Sequence, residues 1–298
     1  MLTPRDPHLG TVVAGRFRVQ ALLGEGQMAR VYVAEQVSMK REVALKILRR
    51  DLTCHPSAPV RFRREVEAVT RLRSPHSIVF YDFGDTGDGS LYIAMELLSG
   101  ETLRERLDRE GALEPFAALD ILRQVASCLK EAHEAGVLHR DLKPENIFLC
   151  PTGAGRRPFV KVLDFGLAKL TERVLGEAVN PVITSPSLTV GTPAYIAPEM
   201  ATLGRSADPR ADLYGLGVMT FEMLVGGRPF QAKSPFLMLQ EQIHSPVPLP
   251  SQHHQGLPPG CDGFMVIALA KDPEERFQSA EAFIAALASA LGERRLSS

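Results

Sequence analysis

A change of periodicity near Gly100 constrains this chain more than any other feature of its sequence. From Phe17 to Glu96 apolar residues recur in short alternating runs, the pattern of half-buried strands. Arg16–Leu22 and Ala29–Glu35 flank a glycine-bearing turn, and Glu42–Leu48 alternates around Val43, Leu45 and Ile47. Ile78–Phe83 and Leu91–Leu97 read as two further strands joined through Gly84, Gly87 and Gly89. One segment breaks the pattern: between Val60 and Leu72, Phe62, Val66, Val69 and Leu72 follow the three-to-four spacing of an amphipathic helix.

Beyond Gly100 the helical period takes over. Phe116–Glu134, Ala211–Leu224, Phe236–Ile243, Gly263–Leu269 and Ala280–Leu291 read as helices, and Pro246–Pro259, rich in Pro, His and Gln, as a loop. A mostly antiparallel sheet with one helix, then a mostly helical body, predicts an α+β chain of two lobes with a cleft between them. The switch falls at Glu96–Gly100. The expected divisions are an N-terminal extension (1–16), a sheet lobe (17–96), a helical lobe (97–292) and a tail (293–298).

Composition narrows the functional classes. A net charge of −1 leaves no electrostatic footprint for nucleic acid. The local run of Arg61, Arg63, Arg64, Arg71 and Arg73 reads as a solvated helix face. Cys54, Cys128, Cys150 and Cys261 have no metal-ligand spacing and read as free thiols of a reducing compartment. The first residues, with Pro4, Asp6 and Pro7, lack the apolar run of a signal peptide. No stretch approaches the ~20 apolar residues of a membrane span. The expectation is a cytoplasmic protein with no membrane span in this chain.

Several clusters carry chemistry. Leu23-Gly24-Glu25-Gly26-Gln27-Met28-Ala29-Arg30-Val31 places two glycines between two strands, so that backbone N–H groups can approach phosphate oxygens. A plain hairpin turn fits that motif equally. Lys46, in Val43-Ala44-Leu45-Lys46, shares a strand side with Ala44 and fits either an exposed edge lysine or a group facing a nucleotide. More specific is an ordered series: His139-Arg140-Asp141-Leu142-Lys143-Pro144-Glu145-Asn146, then Asp164-Phe165-Gly166, then Gly191-Thr192-Pro193 and Ala197-Pro198-Glu199. Loop capping explains any one of the polar residues but not the order of the motifs.

With these motifs the chain resembles a eukaryotic-type protein kinase catalytic domain over about Phe17–Leu291. Arg61-Phe62-Arg63-Arg64-Glu65 and Leu269-Ala270-Lys271-Asp272-Pro273-Glu274-Glu275-Arg276-Phe277 are similar to the bacterial serine/threonine members. The resemblance implies the bilobal kinase fold, ATP with Mg²⁺ (or Mn²⁺), and Ser/Thr hydroxyls of proteins as acceptors.

It also implies roles for individual residues. Lys46 would hold the α- and β-phosphates, kept in place by an ion pair with Glu65. Asp164 and Asn146 would bind metal, Asp141 would accept the proton of the acceptor hydroxyl, and Lys143 would sit near the transferred group. Gly24 and Gly26 would cover the phosphates. Leu23, Val31, Ala44 and Phe148 would wall the adenine pocket with Met95 at its back, and the backbones of Glu96 and Leu98 would bond the base. Asp212 is expected to anchor the catalytic loop, and Glu199–Arg276 to form a buried pair. Arg140 would receive a phosphate on the segment between Asp164 and Glu199, with Thr184, Ser185, Ser187 and Thr189 as candidate autophosphorylation sites. Thr171 lies on the same segment, and Thr192 is expected to contact the substrate. Self-association would serve trans-autophosphorylation. Ala29, where the family usually has a third glycine, is the departure that keeps a non-catalytic nucleotide-binding module as an alternative. A small-molecule kinase of related fold is the other.

Overall fold

The computed structural model describes residues 6–26, 28–50, 53, 58–153, 157–165, 193–201 and 207–293. The early alternation becomes an antiparallel sheet of β1 (Val12–Val13), β2 (Phe17–Glu25), β3 (Ala29–Gln36), β4 (Arg41–Leu48), β5 (Phe80–Asp85) and β6 (Leu91–Met95). Their order is β1-β2-β3-β4-β6-β5. Strand β1, in the segment preceding the expected sheet lobe, pairs with β2 through Val12↔Arg18 and Val13↔Phe17.

Period-two alternation gives β4 two different faces. Val43, Leu45 and Ile47 pack with Phe17, Val19, Tyr32 and Ala34 in one apolar cluster. Ala44 and Lys46 take the opposite side. Helix α1 (Ala58–Val69) buries Phe62 and Val66 against Leu91 and Ile93. The expected strand Ile78–Phe83 is displaced: pairing begins at Phe80, because Ile78 N–H donates to Val162 O of the other lobe at 3.2 Å.

Strand β7 (Glu101–Thr102), which the periodicity did not reveal, follows the switch, with α2 (Leu103–Glu110) directly after it. The α2 start does carry a sequence signal. Thr102 and Glu105 form a reciprocal capping box, satisfying backbone donors that the first turn leaves open. Helix α3 (Pro115–Glu134) follows, then β8 (Ile147–Cys150) and β9 (Phe159–Val162), which form a small sheet in the order β7-β8-β9. Gly100 makes the entry to this sheet possible. Its φ is 138°, and a Cβ there would lie 2.1 Å from Leu149 O, so no side chain fits.

Helix α4 (Pro209–Val225) is apolar on all sides and is buried accordingly, from Ala211 to Leu224. Around it lie α5 (Pro235–His244), α6 (Pro250–His253), α7 (Gly260–Ala268) and α8 (Ala280–Ala290). The single turn α6 corrects the loop expected over Pro246–Pro259. Pro250 supplies the helical φ for its first residue and is buried. The helical lobe shares one core of α3, α4, α7 and α8 side chains, including Leu119, Leu122, Leu216, Met219, Phe264 and Phe283. No helix of the described residues is long and apolar enough to cross a membrane.

Candidate active site

One buried carboxylate pins the loop that carries His139 and Arg140. Asp212, near the start of α4, is 2% exposed. Its Oδ1 accepts Arg140 N–H (2.8 Å), and its Oδ2 accepts His139 N–H (2.9 Å) and meets His133 Nε2 (2.8 Å). Burial pushes its carboxyl pKa up, but the His133 hydrogen bond and the other donors outweigh this and hold it below the ordinary value. The loop pinned in this way runs strained: Arg140 has φ 65°.

His139 ties this loop to the strand that leads to Asp164. Its Nδ1 accepts Asp141 N–H at 3.3 Å, so its Nε2–H donates to Leu163 O at 2.8 Å. Its ring lies against Phe165 with centroids 4.7 Å apart. Leu163 N–H in turn donates to Asn146 O at 2.8 Å. Asp164 sits in the left-handed region at φ 58°, one of four described non-glycine residues with positive φ, and Arg140 is another. That two of the four lie here marks a constrained site.

The polar groups converge. Lys143 Nζ is 2.7 Å from Asp141 Oδ2. Asn146 Nδ2 donates to Asp141 O (2.7 Å) and to Oδ2 (3.2 Å). Both partners are acceptors only, so the amide orientation is fixed and Asn146 Oδ1 faces away as a hard oxygen donor. Across the cleft, Lys46 Nζ reaches Asp164 Oδ1 at 2.6 Å, bridging β4 to the helical lobe. Desolvation raises the Asp164 pKa, yet the Lys46 ammonium outweighs it and keeps this group a carboxylate. The Lys46–Glu65 pair implied by the resemblance is not among the ion pairs of the described residues. The physical reason is that the desolvated Asp164 carboxylate needs a cation, and Lys46 is on it. Glu65 lies half-buried on α1.

The donor set suits Mg²⁺, which binds through one or two protein oxygens and completes its shell with phosphates and water. Among the described residues no three or more His, Cys, Asp or Glu side chains gather as a metal cluster.

The remaining expected residues lie on neighbouring strands. Gly24 pairs with Val31, Val31 with Lys46, and Ala44 with Met95. Phe148 pairs with Thr102 on one side and Lys161 on the other. Leu23 is 53% exposed. At Gly24 a Cβ would meet nothing within 4 Å, and at Gly26 only Ala29 O at 3.7 Å. Neither turn glycine is demanded by the chain's own packing. Glu96 N–H already donates to Val79 O (2.9 Å), so this residue can offer a base only its carbonyl. Leu98 has no backbone partner among the described residues. Gly191, Thr192 and the candidate phosphorylation sites lie outside the described residues.

Two arrangements escaped the sequence reading. Lys161, in the middle of β9, is 8% exposed and bonds Glu96 Oε1 at 2.6 Å and Ser77 O at 3.2 Å. Its one signal is a lysine inside the apolar run Phe159-Val160-Lys161-Val162. Tyr195 donates its hydroxyl to Glu222 Oε2 at 2.5 Å, and Arg104 holds Glu222 Oε1 at 2.7 Å. No sequence pattern joins these three residues.

The protein kinase domain model matches residues 17–286. The chain therefore belongs to the protein kinase domain family. Within it, the chain is of the eukaryotic-type serine/threonine kind found in bacteria. It is 40% identical over 298 residues to serine/threonine-protein kinase pkn3 of Myxococcus xanthus, covering 99% of this chain and 54% of that protein. With serine/threonine-protein kinase PknB of Mycobacterium tuberculosis it shares 38% over 272 residues, 90% of this chain and 42% of the relative. The chain thus spans about half the length of these curated relatives. The PknI kinase domain of Mycobacterium tuberculosis has the same fold, with a TM-score of 0.72 at 30% identity over 94% of this chain and 98% of that one. The protein kinase family in general uses ATP and a divalent cation.

Proposed function

We propose that this chain transfers the γ-phosphoryl group of ATP to Ser and Thr hydroxyls of proteins, including its own activation segment. The observation that carries the reading is that Asp141, Lys143 and Asn146 form one hydrogen-bonded group, while Lys46 of β4 pairs with Asp164, on whose carboxyl Lys143 also acts electrostatically.

In this reaction Asp141 aligns the acceptor hydroxyl and takes its proton as the oxygen bonds to phosphorus and the bond from phosphorus to the β-phosphate oxygen breaks, releasing ADP. Lys143, which shares the Asp141 carboxylate, neutralises charge on the transferred group. Lys46 moves between Asp164 and the α- and β-phosphates, and an ion pair with Glu65 of α1 would steady it there. Gly24 and Gly26 leave room for phosphate under the β2–β3 turn. Leu23, Val31, Ala44, Met95 and Phe148 enclose the base, with the Glu96 carbonyl and the Leu98 N–H as its hydrogen-bond partners. Asp164 and Asn146 would hold Mg²⁺ (or Mn²⁺), which supplies positive charge to the phosphate oxygens. A second copy of the chain acting in trans, in the cytoplasm, is the proposed route of autophosphorylation at Thr184, Ser185, Ser187 or Thr189.

The test is intact-mass analysis of phosphatase-treated protein after incubation with ATP and Mg²⁺, beside Asp141→Asn and Lys46→Met. Phosphoryl groups gained by the unaltered protein alone, mapping to Ser or Thr, support the assignment. If the protein gains no mass and leaves a general Ser/Thr peptide unmodified, the catalytic reading is wrong and a nucleotide-binding module replaces it.

A further inference from the structure

Phosphoryl transfer to a protein needs a fixed seat for the acceptor as well as for ATP. Residues 193–201, which follow the Gly191-Thr192-Pro193 motif, are the described stretch nearest in sequence to that task. Three separate side chains clamp them. Arg276 grips Glu199 at 2.7 Å through two nitrogens, and Glu222 accepts the Tyr195 hydroxyl. The third clamp is Gln242 on α5, with no solvent exposure.

Every polar group of the Gln242 side chain is engaged, and each with a different element. Its Oε1 accepts the Tyr214 hydroxyl of α4, and its Nε2 donates to Ala194 O at 2.5 Å. A carbonyl can only accept, so the amide has one workable orientation. The Gln242 main-chain oxygen accepts Lys271 Nζ at 2.6 Å, and that ammonium lies 4.2 Å from the Phe230 ring centroid. The Tyr214 ring lies under the Arg276 guanidinium, 4.8 Å away, which returns the network to Glu199. Packing of α5 does not need an amide here. Leu239, with the half-buried Ile243, already joins Ile196 and Ala201 in an apolar cluster. A buried amide amid apolar neighbours is retained for what it holds, and what it holds is the Ala194 carbonyl.

We propose that Gln242 is a positioning residue for the acceptor polypeptide: by fixing the Ala194 carbonyl to α4 and α5, it sets the height of the Pro193–Tyr195 turn on which the acceptor segment lies. This rests on the kinase reading above. Gln242 touches neither ATP nor the reacting atoms, so its removal should weaken use of the peptide and leave use of the nucleotide alone.

The experiment uses the full chain with Gln242→Met, of similar length but without hydrogen bonds, and Gln242→Glu, of the same shape but unable to donate when ionised. Steady-state rates are measured with a general Ser/Thr peptide varied at saturating ATP, then with ATP varied at saturating peptide. Amide hydrogen exchange is followed in parallel. The expected result is a peptide KM raised about tenfold in Gln242→Met, the size of one lost hydrogen bond. Gln242→Glu should raise it further, with the ATP KM within twofold of the unaltered protein in both. Faster exchange should be confined to residues 193–201 and their α5 contacts. Unchanged peptide KM, or equal rises in both KM values, would overturn the inference. Should the unaltered protein modify no peptide, the kinase reading fails and the acceptor role falls with it. Exchange in the variants then reports separately whether Gln242 holds residues 193–201 in place: local deprotection shows that it does, unchanged protection that it does not.

Discussion

Replacing Arg276 with methionine tests how this lobe holds its buried charge. Arg276 and Glu199 are 4% and 6% exposed. The guanidinium makes two bonds to Glu199 and donates also to Ala270 O (2.7 Å), Lys271 O (3.0 Å) and Arg210 O (3.3 Å). Arg276→Met keeps much of the volume but strands the Glu199 carboxylate in a buried site and removes a donor from each carbonyl. Breaking a buried pair from one side costs ~3–5 kcal/mol, because the remaining charge is uncompensated. In a chain of this size each kcal/mol lowers the melting temperature by about 2–4 °C, which gives a fall of roughly 6–20 °C. Glu199→Gln should cost less, since the arginine keeps its three carbonyls. The double variant Glu199→Gln/Arg276→Met should recover part of the Arg276→Met loss, because no ionised carboxylate is left behind. Urea unfolding followed by circular dichroism measures all three. A loss below ~1 kcal/mol in Arg276→Met, or strict additivity in the double variant, would refute the argument that an uncompensated buried charge dominates.

Three further outcomes follow from single features. Gly100→Ala forces a Cβ against Leu149 O at a φ only glycine tolerates, and strain of this kind is worth at least ~1–3 kcal/mol, so the denaturation midpoint should fall, whereas Gly24→Ala should leave it unchanged. Asp212→Asn leaves one acceptor oxygen for three donors, so phosphotransfer should drop roughly five- to 150-fold for ~1–3 kcal/mol of unsatisfied bonding, while nucleotide binding measured by calorimetry persists. The Lys271 pKa is lowered to about 8 by burial, with Arg276 nearby adding to it, against 10.5 as its ordinary value. Between these pH values the unfolded chain binds more protons at this residue, so its contribution to stability rises with pH across that window and is flat below it. The unaltered protein should therefore gain stability relative to Lys271→Met between pH 8 and 10, and a constant or shrinking difference would contradict the assignment.

Much of the architecture was legible without coordinates. Helices α3, α5, α7 and α8 and the strand around Val43 announce themselves through an apolar face at the period of their own backbone, and α4 through a long apolar run buried on all sides, whereas the single turn α6 gave no such signal. The longest, such as α3 and α4, are read to within one or two residues. Strands β7, β8 and β9 left no such mark, being two to four residues long, and α2 was recoverable only from its capping box.

The ordered motifs fixed which residues could carry chemistry, since Asp141, Asn146 and Asp164 stand at short, recognisable spacings along the chain. Tertiary structure alone decided their partners. Lys46 meets Asp164 across the cleft, His139 settles its tautomer on Leu163 O, and Asn146 turns its oxygen outward. It alone revealed Lys161 beneath Glu96 and Gln242 beneath Ala194. The physical reason is one of range. Periodicity and short motifs record interactions between residues close in sequence, or between one face and an unspecified apolar environment. A hydrogen bond between residues 48 or 118 positions apart depends on where whole elements come to rest, and no local pattern encodes that.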